Sequence, residues 1–126
     1  MSPFEKLDAY KACHELVIAT HPVIEALEKK DPELAIQLWS AALVSSSRIA
    51  RGSGFGNRKM FQAAVWRSMG ALSEIGYHLN LADGLGLVPK EDCQRLESLR
   101  GRPVFYTTKL AFELAGGDGP QERPSP

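Results

Sequence analysis

The chain has 126 residues, no formal net charge and a 44% hydrophobic, 24% charged composition, which describes one ordinary globular domain and excludes global disorder or a second large domain. No window approaches about 18 uninterrupted apolar residues, and the opening MSPFEKLDAY lacks the basic region and apolar core of a signal peptide. No membrane span is expected, and the expected location is cytoplasmic. Cys13 and Cys93 fall on different predicted helices without CxxC-type spacing, and read as two buried thiols rather than a disulfide or redox pair.

Apolar residues recur at helical spacing along the chain, without the alternation of a strand. The first predicted helix runs from about Glu5 to Lys29, with Leu7, Tyr10, Val17, Ile24 and Leu27 on or near one face. Pro22 inside it predicts a kink or break near His21. Asp31-Pro32-Glu33 then supplies a cap, a proline at the first helical position and an early acid, opening a second helix over about 32–51. The glycine-rich run Gly52-Ser53-Gly54-Phe55-Gly56 stops it. Asn57 caps a third helix over about 58–83, closed by Gly84-Leu85-Gly86. The fourth helix covers about 89–115, and its stripe of Leu96, Leu99, Tyr106, Leu110 and Leu114 is interrupted at Gly101-Arg102-Pro103. The short connections predict an all-α, antiparallel, up-down-up-down four-helix bundle spanning 1–115. Residues 116–126 have no apolar side chain larger than proline and are expected to form a flexible tail.

The second and third helices are apolar around most of their circumference: nine of the eleven residues from Leu34 to Val44 are apolar. One bundle core does not cover both sides of such helices. A homo-oligomer is therefore expected, with Leu38, Trp39, Leu43, Phe61, Val65 and Trp66 at its interface.

Chemistry-bearing patterns are sparse. Bundle di-metal sites use Glu-x-x-His pairs, and the chain has none; Glu74 and His78 are four apart, and His14-Glu15 is not followed by a second zinc-binding histidine. The histidines read as partly buried, hydrogen-bonded groups, and no metal, cofactor or catalytic residue is assigned. Ser45-Ser46-Ser47 lacks a histidine in the same turn and reads as small hydroxyls bonded to the preceding turn, allowing close helix packing. GSGFGNRK resembles a phosphate loop in its glycines and basic residues, but no strand precedes it, and a tight helical hairpin is the simpler account.

Charge is the strongest asymmetry. The 40 residues from Leu34 to Ser73 hold five basic residues, Arg48, Arg51, Arg58, Lys59 and Arg67, and no acid, while all 15 acids lie in the flanking arms. Four of the five converge at the hairpin end of the predicted bundle. They form either a surface for phosphate or an acidic protein, or a set neutralised by Glu5, Asp8, Glu91 or Glu97 across the bundle or between subunits.

From Phe4 to Leu114 the chain resembles the 23S rRNA intervening sequence proteins, a bacterial four-helix bundle family that also includes accessory proteins of diversity-generating retroelements. Phe4-x-x-Leu7, Lys11-Ala12 and Glu15-Leu16-Val17 resemble its first helix, and Leu34-x-x-Gln37 with Ala41 the start of its second. Ile49-Ala50 with Gly52 matches the hairpin Asn-Ile-Ala-Glu-Gly, and Phe61 with Gly70-x-Leu72-x-Glu74 its third helix. Arg48 and Arg51 replace the family's asparagine and glutamate, Ser40 replaces an arginine, and Val44-Ser45-Ser46 replaces Ser-Ile-Pro. The resemblance implies a bundle assembled into a ring, pentameric in known relatives, without enzymatic activity; its retroelement members are implied to bind a reverse transcriptase and nucleic acid.

These readings together predict a non-enzymatic, oligomeric bundle that contacts structured RNA or DNA through Arg48, Arg51, Arg58 and Lys59, with Arg67 secondary. The alternatives are a protein-interaction scaffold whose basic rim docks an acidic partner and, further off, a metal-dependent bundle enzyme.

Overall fold

The computed structural model describes residues 3–116. The tail expected over 116–126 lies, except for Gly116, outside the described residues. A 3-10 turn over Pro3–Lys6 precedes four helices: α1 (Asp8–Glu28), α2 (Pro32–Ser53), α3 (Arg58–Gly84) and α4 (Lys90–Leu114). Each helix packs antiparallel to its chain neighbour, and α1 also packs on α4, closing an up-down-up-down bundle.

Local chemistry fixes the element boundaries. The Asp31 carboxylate accepts from the Leu34 amide at 3.0 Å, and Asn57 accepts from the Met60 amide at 3.0 Å, so both predicted caps form. The α2–α3 connection turns through Gly56 at φ +65° and the α3–α4 connection through Gly86 at φ +67°, a backbone region that favours glycine. The first helix begins later than its periodicity suggests. Leu7 is extended (φ −77°, ψ 128°), and a separate turn before it places Phe4 edge-on to Tyr10 with ring centroids 4.8 Å apart.

Neither proline breaks its helix. α1 continues through Pro22 and α4 through Pro103. Pro22 is exposed, as is Ile18 four residues before it, so the carbonyl deprived of its helical partner lies on the solvent side. Pro103 instead turns inward and is fully buried. The sequence penalty of a helical proline, about 3 kcal/mol, is there set against burial in a close-packed interior.

Leu16, Leu27, Leu38, Ile49, Leu72, Ile75, Leu79 and Leu96 fill the core, each burial contributing about 1.5–3 kcal/mol. A polar layer crosses that core. Cys13, Ser45, Ser68 and Thr107, one residue from each helix, are all 0% exposed. The Ser68 hydroxyl donates to the Ser45 carbonyl at 2.6 Å, the Ser45 hydroxyl donates to the Ala42 carbonyl at 2.7 Å, and Cys13 Sγ lies 3.8 Å from Thr107 Oγ1. Burial raises the Cys13 thiol above its ordinary value of 9.0, an effect moderated by hydrogen bonds with Thr107, Ser68 and Ser45. Ser46 likewise bonds the preceding turn, through the Leu43 carbonyl. Near the hairpin the helices approach closely at Gly52, where a β-carbon would stand 2.7 Å from the Ala64 β-carbon.

Candidate functional site

α2 and α3 run antiparallel into the hairpin, so residues near the end of α2 face residues near the start of α3. This register brings Arg48 and Arg51 opposite Ala63, Ala64 and Arg67. Together with Phe55 and Met60 they line a surface groove of about 250 Å³. Arg51 holds its guanidinium carbon 5.8 Å from the Phe55 ring centroid, a cation–π contact.

Three arginines and no acid line this groove. Among the described residues, no carboxylate forms an ion pair with Arg48, Arg51, Lys59 or Arg67; the carboxylates that do pair use other partners. Glu97 binds Arg100 at 2.9 Å, Glu15 binds Arg102 at 3.1 Å, Asp92 binds Arg95 at 2.8 Å, and Asp83 lies 3.8 Å from Lys90. Of the acids expected as neutralising partners, Glu97 is thus engaged within α4, and Glu91 lies in the first turn of α4, at the opposite end of the bundle from the hairpin.

The five basic residues divide once their surroundings are known. Arg58 turns away from the groove and caps α4: its Nε donates to the Leu114 carbonyl and its Nη2 to the Glu113 carbonyl, both at 2.6 Å. These are the carbonyls a helix end leaves without intrahelical partners, where a cation also complements the helix dipole. Arg67, secondary in the sequence reading, lines the groove beside Arg48 and Arg51. Lys59 is exposed at the start of α3. Phe55 and Met60 join the groove without a motif that marks them in the sequence; the available signal is an aromatic residue whose two chain neighbours, Gly54 and Gly56, have no side chain to cover it.

The expected interface residues divide as well. Leu38 and Val65 are 0% exposed and belong to the chain's own core, so they are corrected out of an outward-facing surface. Trp39 and Phe61 are half-buried against that core, and Trp66 is half-buried. Leu43 is exposed, and Ile36, 66% exposed one heptad before it, shares its stripe on α2.

A second groove, of about 610 Å³, lies on the other side of α3, against α4, and includes Tyr77, Asn80, Asp83, Gln94, Glu97 and Arg100. Here the cation is matched. Glu97 accepts from Arg100 Nε and Nη2, both at 2.9 Å, and the Leu72 carbonyl accepts from Arg100 Nη1 at 3.2 Å. Gly76 leaves room for this guanidinium, which lies 2.8 Å from where a β-carbon would be. Cys93 at its edge is raised above 9.0 by burial and by Asp83 and Asp92, with Lys90 opposing. Among the described residues no three His, Cys, Asp or Glu side chains are grouped to hold a metal ion, and no helix is long and apolar enough to cross a membrane.

Fold and surface together define a small helical-bundle protein with a cationic groove at one end. Residues 5–101 match the family model described as 23S rRNA-intervening sequence protein, and the chain belongs to that family of small helical proteins, which has no known enzymatic role. A search of curated proteins found no match.

Proposed function

We propose that this protein is a non-enzymatic, homo-oligomeric helical bundle that binds structured RNA or DNA electrostatically through Arg48, Arg51 and Arg67, with Lys59 adding charge at the rim. The supporting observation is the convergence of three arginines on one groove without a described carboxylate partner. Cations neutralised by the protein's own acids attract phosphate weakly; unpaired cations replace the counterions of a nucleic-acid backbone and release them. The family name, which refers to an intervening sequence of 23S rRNA, is compatible with such a partner.

On this reading an oligomer repeats the groove on one particle, so that several weak sites act together. Its surface is drawn from the outward apolar residues of α2, Ile36 and Leu43. At about 1.5 Å per residue these lie roughly 22 and 12 Å along the helix from Arg51, leaving the hairpin end open. A monomer in sedimentation at micromolar concentration would remove this part of the proposal.

The test is fluorescence anisotropy of a labelled RNA hairpin and a matched DNA duplex from about 50 to 200 mM salt. Three phosphate contacts at a slope of about 0.9 each predict a roughly fortyfold loss of affinity across that range. The combined variant Arg48→Glu, Arg51→Glu, Arg67→Glu is expected to abolish binding with helicity kept, since Arg58 and its cap are untouched. Binding that survives this change sinks the assigned surface. No binding at low salt, together with specific capture of an acidic protein, favours the scaffold alternative.

A further inference from the structure

Phe55 sets this groove apart from a purely ionic surface. Phe55 is 39% exposed, although Phe61 and Trp39 show that this bundle can pack aromatic rings against its core. Gly54 and Gly56 flank it, and a β-carbon at Gly56 would meet nothing within 4 Å. The turn therefore presents the ring without side chains on either neighbour to cover it. Arg51 stands over the ring, while Arg48, Arg67 and Met60 share the same groove.

An acidic protein engages the arginines, and it engages the ring only where an apolar side chain stands beside its acids. A base-paired duplex also reaches only the arginines, because its bases are stacked on one another. An unpaired nucleotide offers in one unit both a π face and flanking phosphates. We propose that the groove takes an unpaired nucleotide of RNA or DNA, its base stacked on Phe55 and its flanking phosphates held by Arg48 and Arg67. This rests on the nucleic-acid reading above and narrows it to single-stranded or bulged segments. Arg51, 5.8 Å from the ring centroid, keeps positive charge beside the stacked base for a third phosphate contact.

The experiment compares four fluorescein-labelled probes at low salt: a single-stranded RNA of about 12 nucleotides, within the site sizes of single-strand binders, the DNA of the same sequence, a blunt duplex, and an abasic strand of equal charge. The single strands are expected to bind more tightly than the duplex and the abasic strand. Phe55→Ala is expected to weaken single-strand binding by about fivefold to a hundredfold, the range for loss of one base–aromatic stack. It should leave abasic-strand affinity and the circular dichroism spectrum unchanged, and Phe55→Trp should restore binding. A single-strand affinity insensitive to Phe55→Ala but lost in Arg48→Gln/Arg67→Gln overturns the stacking and leaves the ionic groove standing. Failure of every probe to bind overturns both. Where stacking holds, the ratio of RNA to DNA affinity tells whether the 2′-hydroxyl is also read.

Discussion

The two grooves that flank α3 use the same side chain in opposite ways. Against α4, Arg100 has a bidentate carboxylate and a backbone carbonyl, so its charge joins two helices. Against α2, Arg48 and Arg67 have no described ionic partner, so their charge faces outward. An arginine's role is thus set by whether the fold delivers an acceptor to it, and a count of basic residues does not separate the two. Arg58 makes the point within a single cluster: it stands beside Lys59 in sequence yet is committed to the end of α4.

Breaking the helix contacts on either side of α3 should sharpen the contrast. The largest expected effect is at Gly52, where a β-carbon would stand 2.7 Å from Ala64 and 3.0 Å from Phe61. The contact with a β-carbon that has no flexible end to move away puts the overpacking cost of Gly52→Ala at the upper end of about 1–3 kcal/mol, and a helix-propensity gain of about 1 kcal/mol leaves a net loss of about 2 kcal/mol. Gly76→Ala, which meets the movable end of Arg100 instead, should cost less. Chemical denaturation of the two variants measures the difference, and equal losses would show that α3 is not held more rigidly against α2 than against α4.

Arg100→Ala is next. Its side chain is 24% exposed, and removal leaves Glu97 and the Leu72 carbonyl without this partner. The expected loss is about 1–2 kcal/mol after allowance for solvent screening, or about 4 °C in Tm per kcal/mol. Arg67→Ala should stay within about 0.5 kcal/mol of the parent. A Tm loss at Arg67 as large as that at Arg100 would contradict the distinction between the grooves.

The smallest effect concerns Cys13. Its folded-state thiol is raised above the ordinary 9.0, so above that pH the unfolded chain loses its proton first and the folded chain binds more protons. Stability attributable to this group is complete below pH 9 and declines as the pH rises toward the folded-state value. Comparing the alkaline slopes of stability in the parent and Cys13→Ala isolates this contribution; the variant should have the shallower slope.

Much of the fold was legible because its signals are local. Asp31, Asn57 and the glycines of the two connections mark element ends within a few residues, and the apolar spacing marks the helices. At Pro22 and Pro103 the sequence shows the lost amide but not where the orphan carbonyl or the ring will lie, so it does not tell a tolerated proline from a break. Leu38 and Val65 were assigned outward because a helix apolar on most sides does not declare which side its own bundle takes. The groove was half legible: its charge was plain, but Arg67 joins it through the antiparallel register of α2 and α3. Arg58 leaves it for acceptors 55 and 56 residues away.

The layer of Cys13, Ser45, Ser68 and Thr107 bears on how the chain finds a single arrangement. Sliding one helix by a turn moves its member about 5.4 Å along the axis, out of reach of its present neighbours and to the level now held by residues such as Ala9, Ala41, Ala64 and Ala111. A buried hydroxyl that loses its partner costs about 1–3 kcal/mol, whereas an all-aliphatic interior penalises such a slip much less. The layer thus works as an alignment mark: its value lies less in strengthening the correct bundle than in making every shifted copy of it worse.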